Sequence, residues 1–405
     1  MSTAGSARNG GAALRIPRGI WTLGFVSLLM DTSSELIHAL LPLYMVGALG
    51  ASVFVVGVIE GFAEALALMI RVFSGYWSDA LRKRKSLVVA GYGLSAVSKL
   101  AFPLASTLGV VVAARLVDRV GKGIRGAPRD ALIADLVPAT LRGASFGLRQ
   151  ALDTVGALLG PLVAVVAIGY FAGDFHKAFW LATIPAALCV VLLIVGVREP
   201  GAPAAGARER LSWRDARRLD RRFFIVTAIA SVLTLARFSE AFLVLRGQDV
   251  GLGTLGAPWV MVAMTAVYAA VAFPAGRLAD KGHANALLAF GMAALIASDL
   301  VLAAAANAPG VLAGAGLWGL HMALTQGLLA ALVAATAPAD LRGTAFGVFN
   351  LASGVALLIA STLAGYLWQA IGPAATFVAG AAFAGIAWVA LVVHLRRVPR
   401  LDGAP

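Results

Sequence analysis

A single cysteine, Cys189, in 405 residues rules out an intrachain disulfide and a thiolate metal cluster. Five scattered histidines, without a His-rich tract, give no dedicated divalent-metal site, so no metal is expected. Charged residues supply only 13% of the chain and hydrophobic ones 60%, with a mean hydropathy of +0.87. That balance excludes an ordinary soluble protein, which carries about a quarter charged residues. No Gly-rich loop followed by Lys and Ser or Thr is present, which removes ATP as a direct energy source. A nucleophile–base pair is also missing, so neither an enzyme nor a cofactor is expected. A signal-carrying receptor would need a sizeable soluble domain, and the chain has none. Strand-like alternation is scarce, which argues against a membrane β-barrel.

What remains is a series of long apolar runs. A membrane-spanning helix needs about 20 mostly apolar residues. The turn signals cut the chain into such segments at 20–46, 53–74, 86–105, 108–136, 143–169 and 176–197, then 223–246, 257–278, 284–305, 310–336, 343–369 and 373–395. The predicted fold class is therefore an all-α membrane protein with twelve transmembrane helices in two pseudo-symmetric six-helix bundles. The bundles span residues 20–197 and 223–395, joined by a basic linker, 198–222, and flanked by tails 1–19 and 396–405.

The net charge of +13 is concentrated in loops. Arg8, Arg15 and Arg18 precede the first helix, Arg82 to Lys85 follow the second, and eight arginines fill the stretch 198–222. The opposite loops carry little beyond Lys177 and Arg246. This is the positive-inside pattern, which places both termini and the linker in the cytoplasm of a bacterial inner membrane and leaves no basic patch for nucleic acid. The run from Ile20 to Gly47 is too long for a signal-peptide core, so it reads as a retained helix. The linker opens Pro/Gly/Ala-rich, and Leu211 to Phe224 has the pattern of a short interfacial helix.

Two stretches two hundred residues apart nearly coincide. Pro138-Ala-Thr-Leu-Arg-Gly143 with Phe146-Gly147 returns as Pro338-Ala-Asp-Leu-Arg-Gly343 with Phe346-Gly347, and Gly75-x-x-x-Asp79 returns as Gly276-x-x-x-Asp280. Repeated halves of hydrophobic helices are how many secondary transporters build a substrate site at the repeat interface.

Taken together, these residues resemble the major facilitator superfamily across essentially the whole chain. That family's loop after helix 2 reads Gly-x-x-x-Asp followed by basic residues, here Gly75 to Asp79 and then Arg82, Lys83, Arg84 and Lys85. The resemblance implies a gating latch built from Gly75, Asp79, Arg82, Arg84, Gly276 and Asp280. Arg115 to Gly123 is similar to the family's helix 4, which carries an Arg and then a Gly-rich tail. Gly147, Gly156, Gly160 and Pro161 are similar to the helix 5 motif of its exporting branches, although Ala164 and Val165 stand where a Gly pair is usual. Helices 1, 4, 7 and 10 of the resembled fold line its central cavity.

Those helices here carry charges that a membrane disfavours by roughly 2.5–3.5 kcal/mol each. Asp31, Glu35 and His38 follow spacings of four and three and so share one face of helix 1, with Pro42 bending the helix beyond them. On helix 4, Arg115, Asp118, Arg119, Lys122, Arg125 and Arg129 form one stripe, and Pro128 is expected to end or kink the helix below it. Helix 7 offers Arg237 and Glu240, and helix 10 offers Trp318, His321 and Gln326. Asp31, Glu35 and His38 are thus the candidates for proton coupling. Arg115, Asp118, Arg119, Arg237, Glu240, Trp318, His321 and Gln326 are the candidates for lining the substrate cavity. The carboxylates of helix 1 are expected to pair with Arg115 or Arg119, either as a proton-responsive device or as a clamp between helices. Glu60, Glu64 and Arg71, Lys99, and Arg149 with Asp153 are expected to pair internally.

The functional expectation is a monomeric secondary active transporter that moves a small molecule by alternating access in membrane lipid, with protons as the coupled partner and efflux as the direction. A proton-coupled importer of an organic anion is the alternative, because the basic excess on helix 4 suits an anionic ligand.

Overall fold

The computed structural model describes residues 16–81, 83–198, 215–338 and 341–397, and among these the chain is helical without a strand. The first half comprises α1 (Arg18–Leu43), α2 (Val53–Leu81), α3 (Arg84–Ala101), α4 (Leu108–Leu136), α5 (Ala139–Tyr170) and α6 (Phe175–Gly196). The second comprises α7 (Arg221–Ala236), α8 (Ala241–Gly247), α9 (Gly253–Gly256), α10 (Trp259–Leu278), α11 (Ala284–Ala304), α12 (Ala308–Thr336), α13 (Arg342–Ala370) and α14 (Pro373–Arg397). Both tails before residue 16 and after residue 397, linker residues 199–214 and Arg82 of the latch lie outside the described residues. Of the expected interfacial helix, Asp215–Arg218 is a single 3₁₀ turn.

Eight helical stretches are long and apolar enough to cross a membrane by length and composition. The long helices that miss this criterion, α1, α3 and α4, are rich in ionisable groups: Asp31, Glu35 and His38, Lys99, and the stripe from Arg115 to Arg129. Their polarity is turned inward, which is where ionisable groups in a membrane protein belong.

Helix ends follow local chemistry. Asp174 caps α6 by accepting the Lys177 backbone N–H at 3.2 Å, a bond that holds its carboxyl below the usual carboxylate range. Asn307 caps α12 by accepting the Gly310 N–H at 3.0 Å. Pro42 lies in the last turn of α1, which passes into a π turn at Tyr44–Ala48. Pro128, expected to end or kink the fourth helix, does not end it: α4 runs on to Leu136. α2 extends through Leu81, so Gly75 and the backbone of Asp79 are helical rather than part of a loop. The largest departure is in the seventh segment. It breaks between α7 and α8, leaving Arg237, Phe238, Ser239 and Glu240 outside either helix.

The packing of the first half recurs in the second. α1 packs on α5 and α6 as α7 packs on α13 and α14, and α4 packs on α2 and α3 as α12 packs on α10 and α11. The halves meet where α2 crosses α13 and α5 crosses α10. Small residues set these distances. A Cβ on Gly160 would lie 2.6 Å from the Glu35 Cβ, and one on Gly156 2.5 Å from the Leu28 carbonyl, so both glycines seat α5 directly on α1. Between the halves, Gly61 faces Ser361 and Leu358, and Gly365 faces Val53 and Phe54. A continuous apolar core joins Leu36–Leu43 of α1 and Tyr44 and Met45 of the following turn to Phe242–Leu245 of α8, across the two halves.

Candidate functional site

A cavity of about 650 Å³ lies between the halves. It is bounded on one side by α1, α2, α4 and α5, and on the other by α7, the broken segment 237–240, α10, α12 and α13. Of the residues singled out by sequence, Asp31, Glu35, His38, Arg119, Arg237, Glu240 and Gln326 line it. Arg115, Asp118, Trp318 and His321 do not. They are buried behind the wall, each 2% exposed or less.

The side formed by the first half is a network of ion pairs. Arg115 Nη2 binds Glu60 Oε2 at 2.5 Å with both side chains almost fully buried. Arg119 Nη1 lies 3.0 Å from Glu64 Oε1, and Lys122 Nζ lies 3.5 Å from the other oxygen of the same carboxylate. Lys99 on α3 donates to Asp118 on α4 at 2.9 Å. His38 connects α1 to this network, with Nδ1 3.5 Å from Glu35 and Nε2 3.8 Å from Glu60. Further down, Arg125 donates to Ser95 Oγ at 2.6 Å and lies over the Tyr92 ring, while Arg71 and Arg129 share Asp130.

The carboxylates of α1 therefore do not pair with the arginines of α4. Glu60 and Glu64 of α2 stand between them and take those arginines, a result of which helix face meets which neighbour. Glu60, Glu64, Arg71 and Lys99 thus pair internally as expected, each with a residue of a neighbouring helix, and Arg149 pairs with Asp153 within α5 at 2.5 Å.

The second half contributes a different surface. Met261, Met264 and Tyr268 of α10, Met322 of α12 and Phe349 of α13 line the cavity, and sequence gave no signal for any of them beyond apolarity. Trp318 packs on Phe238 with ring centroids 5.4 Å apart, and its indole N–H has no partner among the described residues. His321 Nδ1 bonds the Gly291 carbonyl at 2.9 Å at the α11–α12 contact, a structural seat. Asp299 on α11 is fully buried, and neither of its oxygens finds a partner among the described residues.

The gating residues are spread along the ends of α2 and α10. Gly75 faces Ala127 of α4, Arg84 bonds Asp135 at 2.7 Å, and Gly276 ends open with Asp280 in the following π turn. The Asp79 side chain and Arg82 lie outside the described residues. Gly147 has open space around it, whereas Gly156 and Gly160, with Pro161 beside them in α5, seat that helix against α1.

Comparison with known proteins places this architecture. The sequence profile of the Major Facilitator Superfamily matches residues 23–256 and 223–405. An MFS-type transporter of Methanocaldococcus jannaschii is 32% identical over 385 residues, covering 93% of this chain and 95% of its own. The quinolone resistance protein NorA of Staphylococcus aureus is 25% identical over 226 residues, 55% of this chain and 56% of its own. The crystal structure of a POT family transporter in complex with a thioalcohol-conjugated peptide superposes with a TM-score of 0.78 at 15% identity, covering 94% of this chain and 96% of that one.

Proposed function

This chain belongs to the major facilitator superfamily, and on that premise we propose that it is a proton-coupled exporter of a small molecule. Its twelve membrane segments, counting the broken stretch α7–α9 as one, form two six-helix bundles that rock about the cavity in alternating access. The setting is a bacterial inner membrane with both termini cytoplasmic, the side on which the basic loops lie.

The observation that carries this reading is the chain of ionisable groups from Glu35 through His38 to Glu60 and Arg115. It begins at the cavity edge on α1 and ends fully buried on α4. His38 lies within ion-pair distance of two carboxylates, so a proton arriving at the cavity can be shared between helices that move relative to one another. A cavity lined by both halves is where alternating access requires the transported molecule to sit. The partial match to a quinolone resistance protein supports export, as do Gly156, Gly160 and Pro161, which seat α5 beneath Glu35.

The test is proteoliposomes loaded with a pH-sensitive dye and challenged with a panel of small molecules. Export in exchange for protons predicts substrate-dependent proton movement opposite to the substrate, and its loss in Glu35→Gln with membrane insertion intact. Proton and substrate moving together would reverse the direction, giving the importer. Undiminished coupling in Glu35→Gln would remove that residue from the mechanism.

A further inference from the structure

Charges already committed to one another cannot choose a substrate, so the informative groups are those left over. Six basic side chains line the cavity (Arg71, Arg119, Lys122, Arg125, Arg129 and Arg237) against five acids, so it holds one positive charge in excess with His38 neutral. Arg71, Arg119, Lys122 and Arg129 each have a carboxylate partner, and Arg125 has Ser95 and the Tyr92 ring. Arg237 has neither a hydrogen bond nor an ion pair among the described residues, and its buried Nε is unsatisfied. Among the described residues it is the single base on the second half's side of the cavity.

Its setting is fixed. Arg237 begins the four-residue break between α7 and α8, and non-helical backbone at membrane depth is tolerated where it lines a cavity. The next residue, Phe238, is held by Phe242, Trp318 and Phe377 with ring centroids 5.4–5.6 Å away. The Ser239 N–H donates to Ser361 Oγ on α13 at 3.1 Å. The backbone that carries this guanidinium is therefore ordered before any ligand arrives. Around it Met261, Met264 and Met322 offer polarizable, adaptable apolar surface. The cavity of about 650 Å³ suits a drug-sized molecule rather than a macromolecule.

We infer that Arg237 is the anchor for the acidic group of an amphipathic organic anion, a carboxylate or phosphate whose apolar body lies over Met261, Met264 and Met322. This rests on the cavity being the transport site, as proposed above. Glu240 on the same break and Asp31 across the cavity are also without ion pairs among the described residues, so an amine is the competing ligand the experiment must exclude. Asp31 stands near the carboxylates of Asp153 and Glu35 as well as Arg125 and Arg129, whereas Glu240, Tyr268 and His321 stand near Arg237.

The experiment is equilibrium binding to the purified full chain in detergent, followed by thermal unfolding and calorimetry, so that it needs no gradient and no assumption about direction. The probes share one body: 4-phenylbutyrate, 4-phenylbutyl phosphate, 4-phenylbutyramide and 4-phenylbutylamine. At least one of the two acids is expected to raise the unfolding temperature, with the amide and amine at least tenfold weaker. Arg237→Gln should weaken the acid at least tenfold and Arg237→Lys less, since lysine keeps the charge but not the two-pronged geometry. Binding of the amine as tight as either acid, no binding of either acid, or an Arg237→Gln variant within twofold of wild type overturns the inference. Should Arg237→Gln fail to fold, the acid–amide–amine order on the unmodified protein decides alone. Acid binding by a protein that moves no solute would sink the transport reading and leave the anion site standing.

Discussion

The Arg115–Glu60 pair offers the sharpest test of how this membrane core is held together. Its side chains are 1% and 0% exposed and 2.5 Å apart, so neither charge has water to fall back on. Removing one partner of such a pair typically costs about 3–5 kcal/mol, because the other charge stays buried and unpaired. Lys122, 47% exposed in the cavity, is expected to lose less than about 1 kcal/mol under the same treatment. The perturbation is Arg115→Met, Glu60→Leu and both together, with stability read from reversible denaturant unfolding in detergent. Each single change should cost about 3 kcal/mol or more, and the double change should recover most of it, since two apolar side chains replace two charges in a dry seat. His38 adds a pH signature. Its Nε2 lies 3.8 Å from Glu60, so on protonation it supplies the cation that Arg115→Met has removed. The single variant should therefore regain stability as pH falls, while the double variant should not. Additive single effects, or a cost below about 1 kcal/mol for Arg115→Met, would refute the claim that this pair is dry and mutually dependent.

Two further outcomes follow from packing. Gly160→Leu puts side-chain carbon where a Cβ alone would be 2.6 Å from the Glu35 Cβ, so it should cost at least about 1–3 kcal/mol by overpacking; Gly147→Ala, with open space around it, should be neutral or stabilising, both read as thermal unfolding shifts. Asp299→Leu removes a carboxyl whose two oxygens have no partner among the described residues, so it should leave stability unchanged or raise it, and a loss above about 2 kcal/mol would show a partner the structure does not contain.

The helical segments were legible because Gly, Pro and charge clusters punctuate long apolar runs, and their ends fell within a few residues of the observed ones. α2 was read as ending at residue 74 because Gly75 and the polar residues after it look like a loop, yet the helix continues to Leu81. The break at 237–240 left no such mark. Leu-Ala-Arg-Phe-Ser-Glu-Ala-Phe contains neither Gly nor Pro, and the break is held by tertiary contacts: the Ser239–Ser361 hydrogen bond and the aromatic packing of Phe238. The charged positions on α1 and α4 were visible, but their partners were not, because sequence spacing gives a helix face and not the helix it meets. Glu60 and Glu64 sit one turn apart on α2, the pattern of a solvated face in a soluble protein; in this chain they stand between α1 and α4.

The two halves repeat one another in packing and differ in chemistry, and the difference bears on how such a transporter can change its substrate. On the first half's side the charges are largely satisfied by one another, so the sharing of His38 between Glu35 and Glu60 requires no charge on the transported molecule. On the second half's side the lining is largely methionine, aromatic and hydroxyl, with Arg237 and Glu240 on the break both without an ion pair among the described residues. The corresponding positions show the divergence directly: Lys99 and Asp118 form an ion pair in the first half, whereas Asp299 and Trp318, two hundred residues on, form none. If coupling and recognition occupy opposite walls, substitutions at Met261, Met264 or Met322 should alter which molecules are carried without altering the protons exchanged per turnover. A substitution there that changed that ratio would mean that the walls act as one.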